Sequence, residues 1–244
     1  MILLTEKRLC HNHASSEAKN KTKDMSLNST ELNDTSLIFY TDFSNYNPDH
    51  WVVETKKATV SQVDDCLEID ADSGCTVWLN RKLTAPVTIR YAVTVMDQGR
   101  PNDRVSDNNV FWMATDPKSL ANFFAPKRYG NFTEYHSLKL YYVGMGGHDN
   151  TKTRFRRYKG NGDRPLLEKH DLSDSKYLIT PNKRIEIVIE VNERGTRYFR
   201  DGKLIYDFKD DSPYMDGYFG FRTVKNRMRI DELKIVKKIK EPAR

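Results

Sequence analysis

Alternation of apolar and polar residues is the dominant pattern over most of this chain. The stretch VTIRYAVTV (87–95) places Val87, Ile89 and Tyr91 on one side of an extended backbone. RIEIVIEV (184–191) likewise has isoleucine or valine at every second position. A period of two is typical of half-buried antiparallel strands. These two runs therefore predict strands that bury one face and leave the other polar.

Shorter runs with the same alternation predict ten more strands. Asp201-Gly202 predicts a two-residue hairpin of type I′, and CLEIDADSGC (66–75) is interpreted as another hairpin. The only predicted helix is a short one over 117–124, where Asp116 precedes a proline in the first turn. The ten further strands are predicted over 37–43, 66–69, 76–83, 109–115, 138–143, 153–158, 196–200, 203–208, 217–224 and 228–236.

This many short strands, with turns at regular spacing and almost no helix, predicts an all-β fold. The expected architecture is a β-sandwich or jelly roll with two antiparallel sheets and few short helices. Residues 1–36 are rich in Ser, Asn, Thr and Lys and lack the apolar residues of a core, so they are expected to form a disordered leader. Residues 37–240 are expected to form a single jelly-roll domain.

The composition and the N-terminal residues bear on whether the chain crosses a membrane or carries a signal peptide. The chain has 244 residues, a mean hydropathy of −0.73 and no apolar run near the roughly 18–20 residues that a membrane helix needs, so no membrane span is predicted. The N-terminal apolar run covers only Met1–Leu4, whereas a secretory signal needs about 7–15 apolar residues. The sequence thus predicts no intact signal peptide and leaves a cytoplasmic location open.

The net charge of +6 is concentrated in two segments. Lys152–Arg164 and Lys225–Arg244 each carry a net charge of +5, so the remainder of the chain carries −4. A nucleic-acid binder needs basic residues along a continuous face, and these are confined and interleaved with acids. The pattern predicts a focused anion-binding strand and favours an acidic polysaccharide over a nucleic acid as partner. It does not indicate an oligomeric state.

The three cysteines, Cys10, Cys66 and Cys75, show no zinc-site spacing. The hairpin register would place Cys75 opposite Asp70 rather than Cys66, so three unpaired thiols are expected. No metal site and no cofactor are predicted. The sequence leaves open whether a structural Ca²⁺ is bound, because turns of the DSG and DNN kind supply oxygen ligands for this ion.

Candidate chemistry lies in the long loops between residues 99 and 157. If TEYHSL is extended, Glu134 and His136 share one face, and the carboxylate would hold the imidazole in the tautomer of a general base. The alternative is a histidine satisfied by a hydrogen bond at a sheet edge. In EIDAD (68–72), Glu68, Asp70 and Asp72 share one strand face, as the paired catalytic carboxylates of a glycosidase do. The run ends in a turn, however, so these three side chains are expected to form a solvent-exposed face.

The arginine-rich run RFRRYK carries the strongest signal for anion binding. Arg154 and Arg156 fall on one strand face and Arg157 on the other, and guanidinium groups hold carboxylates through two parallel bonds. The alternative is a basic edge strand that discourages aggregation. Tyr141, Tyr142 and Trp112 are candidate stacking surfaces for sugar rings. The SDNN segment (106–109) offers amides to hydroxyl groups, or else caps its own backbone.

The motifs TEYHS, LKLYY, RFRRY and the closing GYFGFRTV…RIDELKI together resemble the bacterial YesU-like family. These are concanavalin-like jelly rolls from gene sets for pectin and rhamnogalacturonan breakdown. The SDNNVFW motif is similar to that of a related group of uncharacterised secreted gut-bacterial proteins. The resemblance covers residues 37–237 and implies a concanavalin- or lectin-like sandwich, a periplasmic or extracellular location and an acidic glycan ligand. The positions that match the family are Glu134, Tyr135, His136, Arg154, Arg156, Arg157 and Arg222.

The leading functional hypothesis is a polysaccharide lyase that cleaves a uronate-containing polysaccharide by β-elimination, which needs carboxylate neutralisation, a base and an acid. A glycoside hydrolase using Glu134 and Asp107 and a non-catalytic carbohydrate-binding module are the alternatives. The predicted catalytic residues are His136, Glu134, Tyr135 and Tyr142. The predicted substrate-binding residues are Arg154, Arg156, Arg157, Asn108, Asn109, Trp112 and Arg222.

Overall fold

The structure, a computed structural model, describes residues 35–238 as strands joined by turns and short 3-10 helices. The 3-10 helices are Pro48–His50, Phe132–Tyr135, Glu168–His170 and Ser175–Tyr177, and a four-residue helical turn covers Gly147–Asn150. The strands are β1 (Thr35–Thr41), β2 (Trp51–Thr55), β3 (Ala58–Val63), β4 (Cys66–Ala71), β5 (Cys75–Leu79), β6 (Leu83–Thr84), β7 (Val87–Val95), β8 (Asn108–Thr115), β9 (Lys139–Gly146), β10 (Lys152–Lys159), β11 (Asp171–Leu172), β12 (Ile185–Asn192), β13 (Gly195–Arg200), β14 (Lys203–Lys209), β15 (Asp216–Thr223) and β16 (Asn226–Lys238).

The strands form two eight-stranded sheets. The back sheet has the order β14-β13-β12-β7-β16-β4-β3, with β1 also paired to β16, and the front sheet has the order β11-β10-β9-β8-β15-β5-β2, with β6 paired to β15. Every strand pair is antiparallel. The predicted all-β fold with two antiparallel sheets is confirmed.

The main core lies between the two sheets. Alternate residues of β12, such as Ile187 and Ile189, meet front-sheet residues such as Val143 and Phe155 in one buried cluster. Burying such apolar side chains is the main favourable term in folding, at about 25 cal/mol per Å². The strand periodicity read from the sequence is therefore the periodicity of the core.

A second buried cluster covers the outer face of the front sheet. Residues from β5, β8, β9 and β10 pack there against the loop 116–138, which we call the covering loop. The alternation is strict on β9, because Tyr141 and Val143 point into the main core while Leu140 and Tyr142 belong to the outer cluster. Part of the front sheet is thus apolar on both faces, and its remaining outer surface is left for polar residues.

One strand and one hairpin that were predicted are present in the structure, whereas another predicted hairpin and the predicted helix are not. The strand at 87–95 is confirmed residue for residue, and the hairpin at Asp201-Gly202 joins β13 to β14 with both residues in the left-handed region (φ 48° and 74°). The hairpin at 66–75 is wrong, because β4 and β5 belong to different sheets. The helix at 117–124 is also wrong: the segment is a series of turns, and Asp116 accepts a hydrogen bond from the Lys118 backbone.

The cysteine prediction is corrected in one respect. Cys66 is disulfide-bonded, whereas Cys75 is free and buried. The two do not pair with each other, as expected, but the prediction of three unpaired thiols is wrong for Cys66.

Residues 1–34 of the predicted leader lie outside the described residues. Thr35 and Ser36 belong to β1, where they pair with Lys238 and Lys237 of β16, so this strand begins two residues before the predicted boundary. The single-domain organisation over 37–240 stays a prediction. Within residues 35–238, no helix has the length and apolar character needed to cross a bilayer.

Candidate functional site

A row of mostly polar residues crosses the outer face of the front sheet, one residue from each of seven strands. We call it the polar row. Because side chains alternate between the faces of a strand, residues in register on neighbouring strands point to the same side. The strand pairing places its members side by side in the order Glu54, Thr76, Arg222, Asn109, Gly144, Arg154 and Asp171.

The covering loop is fixed onto one end of this row by a buried carboxylate. Glu54 accepts hydrogen bonds from Trp78 Nε1 (2.8 Å), Tyr135 Oη (2.8 Å) and Arg128 Nε (2.9 Å). Burial raises the pKa of Glu54, and the Arg128 guanidinium opposes that shift. Tyr135, a predicted catalytic residue, is therefore a fully buried anchor of the loop rather than a group that faces solvent.

The predicted extended conformation of TEYHSL is not observed. Phe132–Tyr135 forms a 3-10 helix, and Glu134 accepts hydrogen bonds from the backbone N–H groups of Tyr129 (2.8 Å) and Asn131 (3.0 Å). Glu134 is consequently a capping residue. His136 follows the helix, and its ring lies edge-on to Phe132 at 5.3 Å between ring centroids.

At the other end of the row lies an open groove of about 270 Å³, which we call the cationic groove. It brings together four of the residues predicted from the sequence, namely Asn109, Tyr142, Arg154 and Arg156. Its complete lining consists of Asp107, Asn109, Phe132, Tyr142, Gly144, Gly147, His148, Lys152, Arg154, Arg156, Arg164 and Val224.

The arginines of the groove differ in how their charge is balanced. Arg154 forms a bidentate ion pair with Asp171, with Nε–Oδ1 and Nη2–Oδ2 distances of 2.9 and 3.1 Å. Arg156 and Arg164, in contrast, have no ion-pair partner among the described residues; Arg156 Nη1 donates to the Arg164 carbonyl oxygen (2.6 Å). The Arg164 guanidinium lies 5.6 Å from the centre of the Phe132 ring. The uncompensated charge of the groove therefore belongs to Arg156 and Arg164.

Arg222 lies beneath the groove and is fully buried. Its Nη1 donates to Thr76 Oγ1 and to the Gly130 carbonyl oxygen, both at 3.0 Å. The guanidinium also lies 4.9 and 4.8 Å from the ring centres of Phe132 and Tyr135. It has no ion-pair partner in the described part of the chain, and burial lowers its pKa. Arg222 contributes positive potential to the site from below.

Tyr142 owes its place in the groove to a glycine. A Cβ at Gly144, two residues further along β9, would collide with the Tyr142 hydroxyl, so only glycine leaves room for the phenol. The hydroxyl lies 3.4 Å from Asn109 Oδ1. Burial raises the pKa of Tyr142, so the phenol keeps its proton at neutral pH.

An unusual turn brings His148 to the groove. His148, Asp149 and Asn150 all have φ between 54° and 60°, a left-handed conformation that non-glycine residues seldom adopt. Asn150 holds the turn through bonds to the backbone N–H (2.8 Å) and carbonyl (2.9 Å) of Ile179. His148 Nε2 contacts Arg154 Nη1; since a guanidinium group only donates, Nε2 is assigned as the acceptor of this contact. Sequence reasoning missed His148, although it lies within residues 99–157, where candidate chemistry was expected.

Three predicted binding residues point away from the groove. Trp112 lies in the main core, where its Nε1 donates to Thr196 Oγ1 (3.0 Å). Asn108 is buried with its amide 3.9 Å from the sulfur of Met145. Arg157 is ion-paired with Asp210 (2.7 Å). All three occupy strand positions whose side chains point away from the groove, so they do not reach a ligand there.

The acids of EIDAD lie on the back sheet, remote from the groove. Glu68 is buried and accepts hydrogen bonds from Arg229 Nε (2.7 Å) and Arg227 Nη1 (3.2 Å), so the expectation of a solvent-exposed face is wrong for this residue. Asp70 accepts from Asn102 (2.8 Å). Nowhere in residues 35–238 do three or more His, Cys, Asp or Glu side chains form a group that could hold a metal ion.

Together, the sandwich and the groove on one of its sheets define a lectin-like jelly-roll protein with a cationic surface site. The chain belongs to the family described as Domain of unknown function (DUF6250), whose match covers residues 69–233. No curated protein sequence matches it.

Solved structures confirm the concanavalin-like fold. A Bacillus subtilis protein of unknown function with a galectin-like fold matches with a TM-score of 0.67 at 14% identity, covering 85% of this chain and 99% of that one. The LamAcat structure from Zobellia galactanivorans matches with 0.57 at 14% identity, covering 84% and 99%. The carbohydrate-binding module CBM66 from Bacillus subtilis matches with 0.50 at 13% identity, covering 76% and 94%.

Proposed function

We propose that this protein is carbohydrate-active and binds an acidic sugar in the cationic groove. The observation that carries the proposal is the pair of guanidinium groups, Arg156 and Arg164, that face the groove without an ion-pair partner among the described residues. Arginine binds carboxylates strongly and with defined geometry. The aromatic ring of Tyr142 adds apolar surface of the kind that sugar rings stack on. A bound carboxylate would thus supply the missing counter-charge.

Two further observations support a glycan partner. The resemblance to YesU-like proteins implies an acidic plant or host polysaccharide, and solved structures with the same fold include a carbohydrate-binding module. The disulfide at Cys66 is typical of oxidising compartments, which supports the proposed periplasmic or extracellular location.

Cleavage by β-elimination is the reaction that the groove favours. Arg156 and Arg164 would neutralise the uronate carboxylate and so acidify the C5 proton. A base removes this proton, the C4–O bond breaks, a C4–C5 double bond forms, and an acid protonates the leaving oxygen. We assign proton removal to His148, once Arg154 releases Nε2, and proton donation to the hydroxyl of Tyr142.

Hydrolysis is less well supported by the same groove. It requires two carboxyl groups at about 5–9.5 Å from each other. The groove is lined by one, Asp107, which is ion-paired with Arg104 at 2.7 Å. The proposed partner acid, Glu134, is engaged in the backbone cap described above.

The test is incubation of the protein with a panel of uronate-containing polysaccharides, including pectin, rhamnogalacturonan and glycosaminoglycans. Elimination produces the ultraviolet absorbance of an unsaturated uronate, whereas hydrolysis produces reducing ends without it. His148→Gln and Tyr142→Phe are expected to abolish the absorbance while calorimetric binding persists. Binding without any product would identify a non-catalytic binding module, and absence of binding across the panel would reject the proposal.

A further inference from the structure

Three buried polar atoms without hydrogen-bond partners belong to residues that are linked through the rings of Phe132 and His136. They are His136 Nε2, Tyr158 Oη and Arg222 Nε, three of five such side-chain atoms among the described residues. The Phe132 ring lies 5.3 Å from the His136 ring and 4.9 Å from the Arg222 guanidinium, and the His136 ring lies 6.2 Å from that of Tyr158. Buried polar groups are normally satisfied, so this concentration requires an explanation.

The same place carries an excess of positive charge. Arg222 is fully buried, and the Arg164 guanidinium lies 5.6 Å from the Phe132 ring and 5.9 Å from that of Tyr158. Neither arginine has an ion-pair partner within residues 35–238. A buried charge without a partner is strongly unfavourable. An anion at this position would relieve both the unbalanced charge and the missing hydrogen bonds.

Phe132 separates these groups from the cationic groove. Its ring lines the groove on one side and contacts His136 and Arg222 on the other. Asn131 and Glu134 fix the backbone of the 3-10 helix that Phe132 begins, but these bonds do not hold the phenyl side chain. Rotation about its χ1 bond therefore changes access without unfolding the loop.

We propose that a second carboxylate of the acidic glycan, besides the one held by Arg156 and Arg164, binds beneath Phe132, at a buried subsite formed by Arg222, Tyr158 and His136. Phe132 fills this subsite in the absence of ligand and moves aside when the ligand binds. Arg222 Nε and the Tyr158 hydroxyl donate to the carboxylate oxygens, and His136 donates from Nε2. The identity of the ligand rests on the proposed function; the subsite itself rests on the unsatisfied atoms.

The direct test is an NMR titration of the wild-type protein with galacturonate, using galactose and chloride as comparison ligands. Saturable shifts of the Arg222 Nε–H signal and of the His136 ring signals are expected with galacturonate alone. Equal shifts with chloride would show a simple halide site and overturn the proposal. Shifts at Arg156 with none at Arg222 or His136 would overturn it as well.

Two variants test the role of the ring and of the buried cation. Phe132→Ala is expected to tighten galacturonate binding. Arg222→Met is expected to weaken it by about tenfold or more and also to lower Tm, because the hydrogen bonds to Thr76 and to the Gly130 carbonyl oxygen are lost, so its affinity is measured well below that Tm. Phe124→Ala is the matched control, since Phe124 lies on the same loop but packs on Phe123 and Tyr218. Unchanged affinity in both Phe132→Ala and Arg222→Met would reject the subsite.

Failure of this proposal and of the proposed function can be told apart. If Arg156→Ala abolishes polysaccharide binding while the Arg222 and His136 signals never respond to galacturonate, only the buried subsite is rejected. If those signals respond to galacturonate but no uronate polysaccharide is bound or cleaved, the subsite stands and the proposed function is rejected.

Discussion

Arg156 and Arg157 are consecutive residues of β10 that lie on opposite faces of the front sheet and differ in charge compensation. Arg157 Nε donates to Asp210 Oδ2 at 2.7 Å, and its guanidinium lies 4.3 Å from the centre of the Tyr214 ring. Arg156 faces the cationic groove and has no ion-pair partner among the described residues. The strand thus separates a structural arginine from one available to a ligand.

This pair provides a matched test of the groove. Arg156→Ala is expected to weaken binding of uronate oligosaccharides by about tenfold or more and to leave stability nearly unchanged. Arg157→Ala is expected to leave binding unchanged and to lower the free energy of unfolding by about 2 kcal/mol, because Asp210 loses its partner. Calorimetry and urea unfolding measure the two effects. The reverse assignment of the effects would contradict the site.

Two glycines near the groove test the position of Tyr142. Gly144→Ala is expected to displace the phenol, because the added Cβ would occupy the position of its hydroxyl. Product formation should fall by about a hundredfold, as expected for a misplaced catalytic group. Gly147→Ala is the control: its Cβ would meet only the Lys152 carbonyl oxygen, at 3.8 Å. Equal losses in both variants would argue against a specific role for Tyr142.

The buried carboxylate of Glu54 is expected to be a major determinant of stability. Glu54→Gln removes the charge opposite Arg128 and should lower the free energy of unfolding by about 3 kcal/mol. Glu186→Gln, at an exposed ion pair with Arg184, should change it by about 0.5 kcal/mol or less. Urea unfolding of the three proteins gives both values. A loss no larger than that of the control would show that the covering loop does not depend on this anchor.

Two histidines are expected to make stability fall in mildly acidic solution. Burial, assisted by the guanidinium groups of Arg164, Arg222 and Arg156, lowers the pKa of His136 from its usual 6.5, and burial does the same for the pKa of His170. The unfolded state then binds protons more readily than the native state, so stability is full above about pH 6.5 and declines as the pH drops below it.

The measurement is urea unfolding at several pH values between neutrality and pH 5 or so. Replacing either histidine by asparagine should flatten the pH dependence. A slope that is the same in wild type and in both variants would rule out these imidazoles as its source.

Cys75 is expected to be unreactive in the folded protein. Burial raises the pKa of Cys75 to about 12, and the thiolate is the reactive form. Iodoacetamide should therefore label Cys75 only after unfolding, whereas the disulfide-bonded Cys66 should need reduction as well. Peptide mapping by mass spectrometry distinguishes the two sites. Rapid labelling of Cys75 under native conditions would contradict its burial.

The sequence predicted the central strands well and missed strands at the ends of the sheets, although the edge strand β14 was predicted almost in full. β7 lies inside the back sheet, so its inward residues are uniformly apolar and their period of two is clear. β2 and β3, which were missed, lie at the ends of their sheets. WVVET and ATVSQV mix polar and apolar residues on both sides, because an edge strand has fewer neighbours to bury its side chains, and this weakens the alternation.

The site was predicted where it depends on strand geometry and missed where it depends on loops. The opposite faces of Arg156 and Arg157 follow from the alternation in β10. The 3-10 helix Phe132–Tyr135 does not follow from any alternation and was not predicted, although Asn131 and Glu134 have the spacing of a capping box. The position of this helix is set by Glu54, which lies 81 residues before Tyr135 in the chain. Such a contact has no local signature in the sequence.

The polar row also bears on how readily the ligand preference of this surface can change. Asn109, Gly144 and Arg154 come from three different strands, and all of them project away from the main core. Exchanging one of them alters what the surface recognises without repacking the sandwich. A few substitutions at these positions would therefore change which ligand the groove accepts and leave the stability of the scaffold intact.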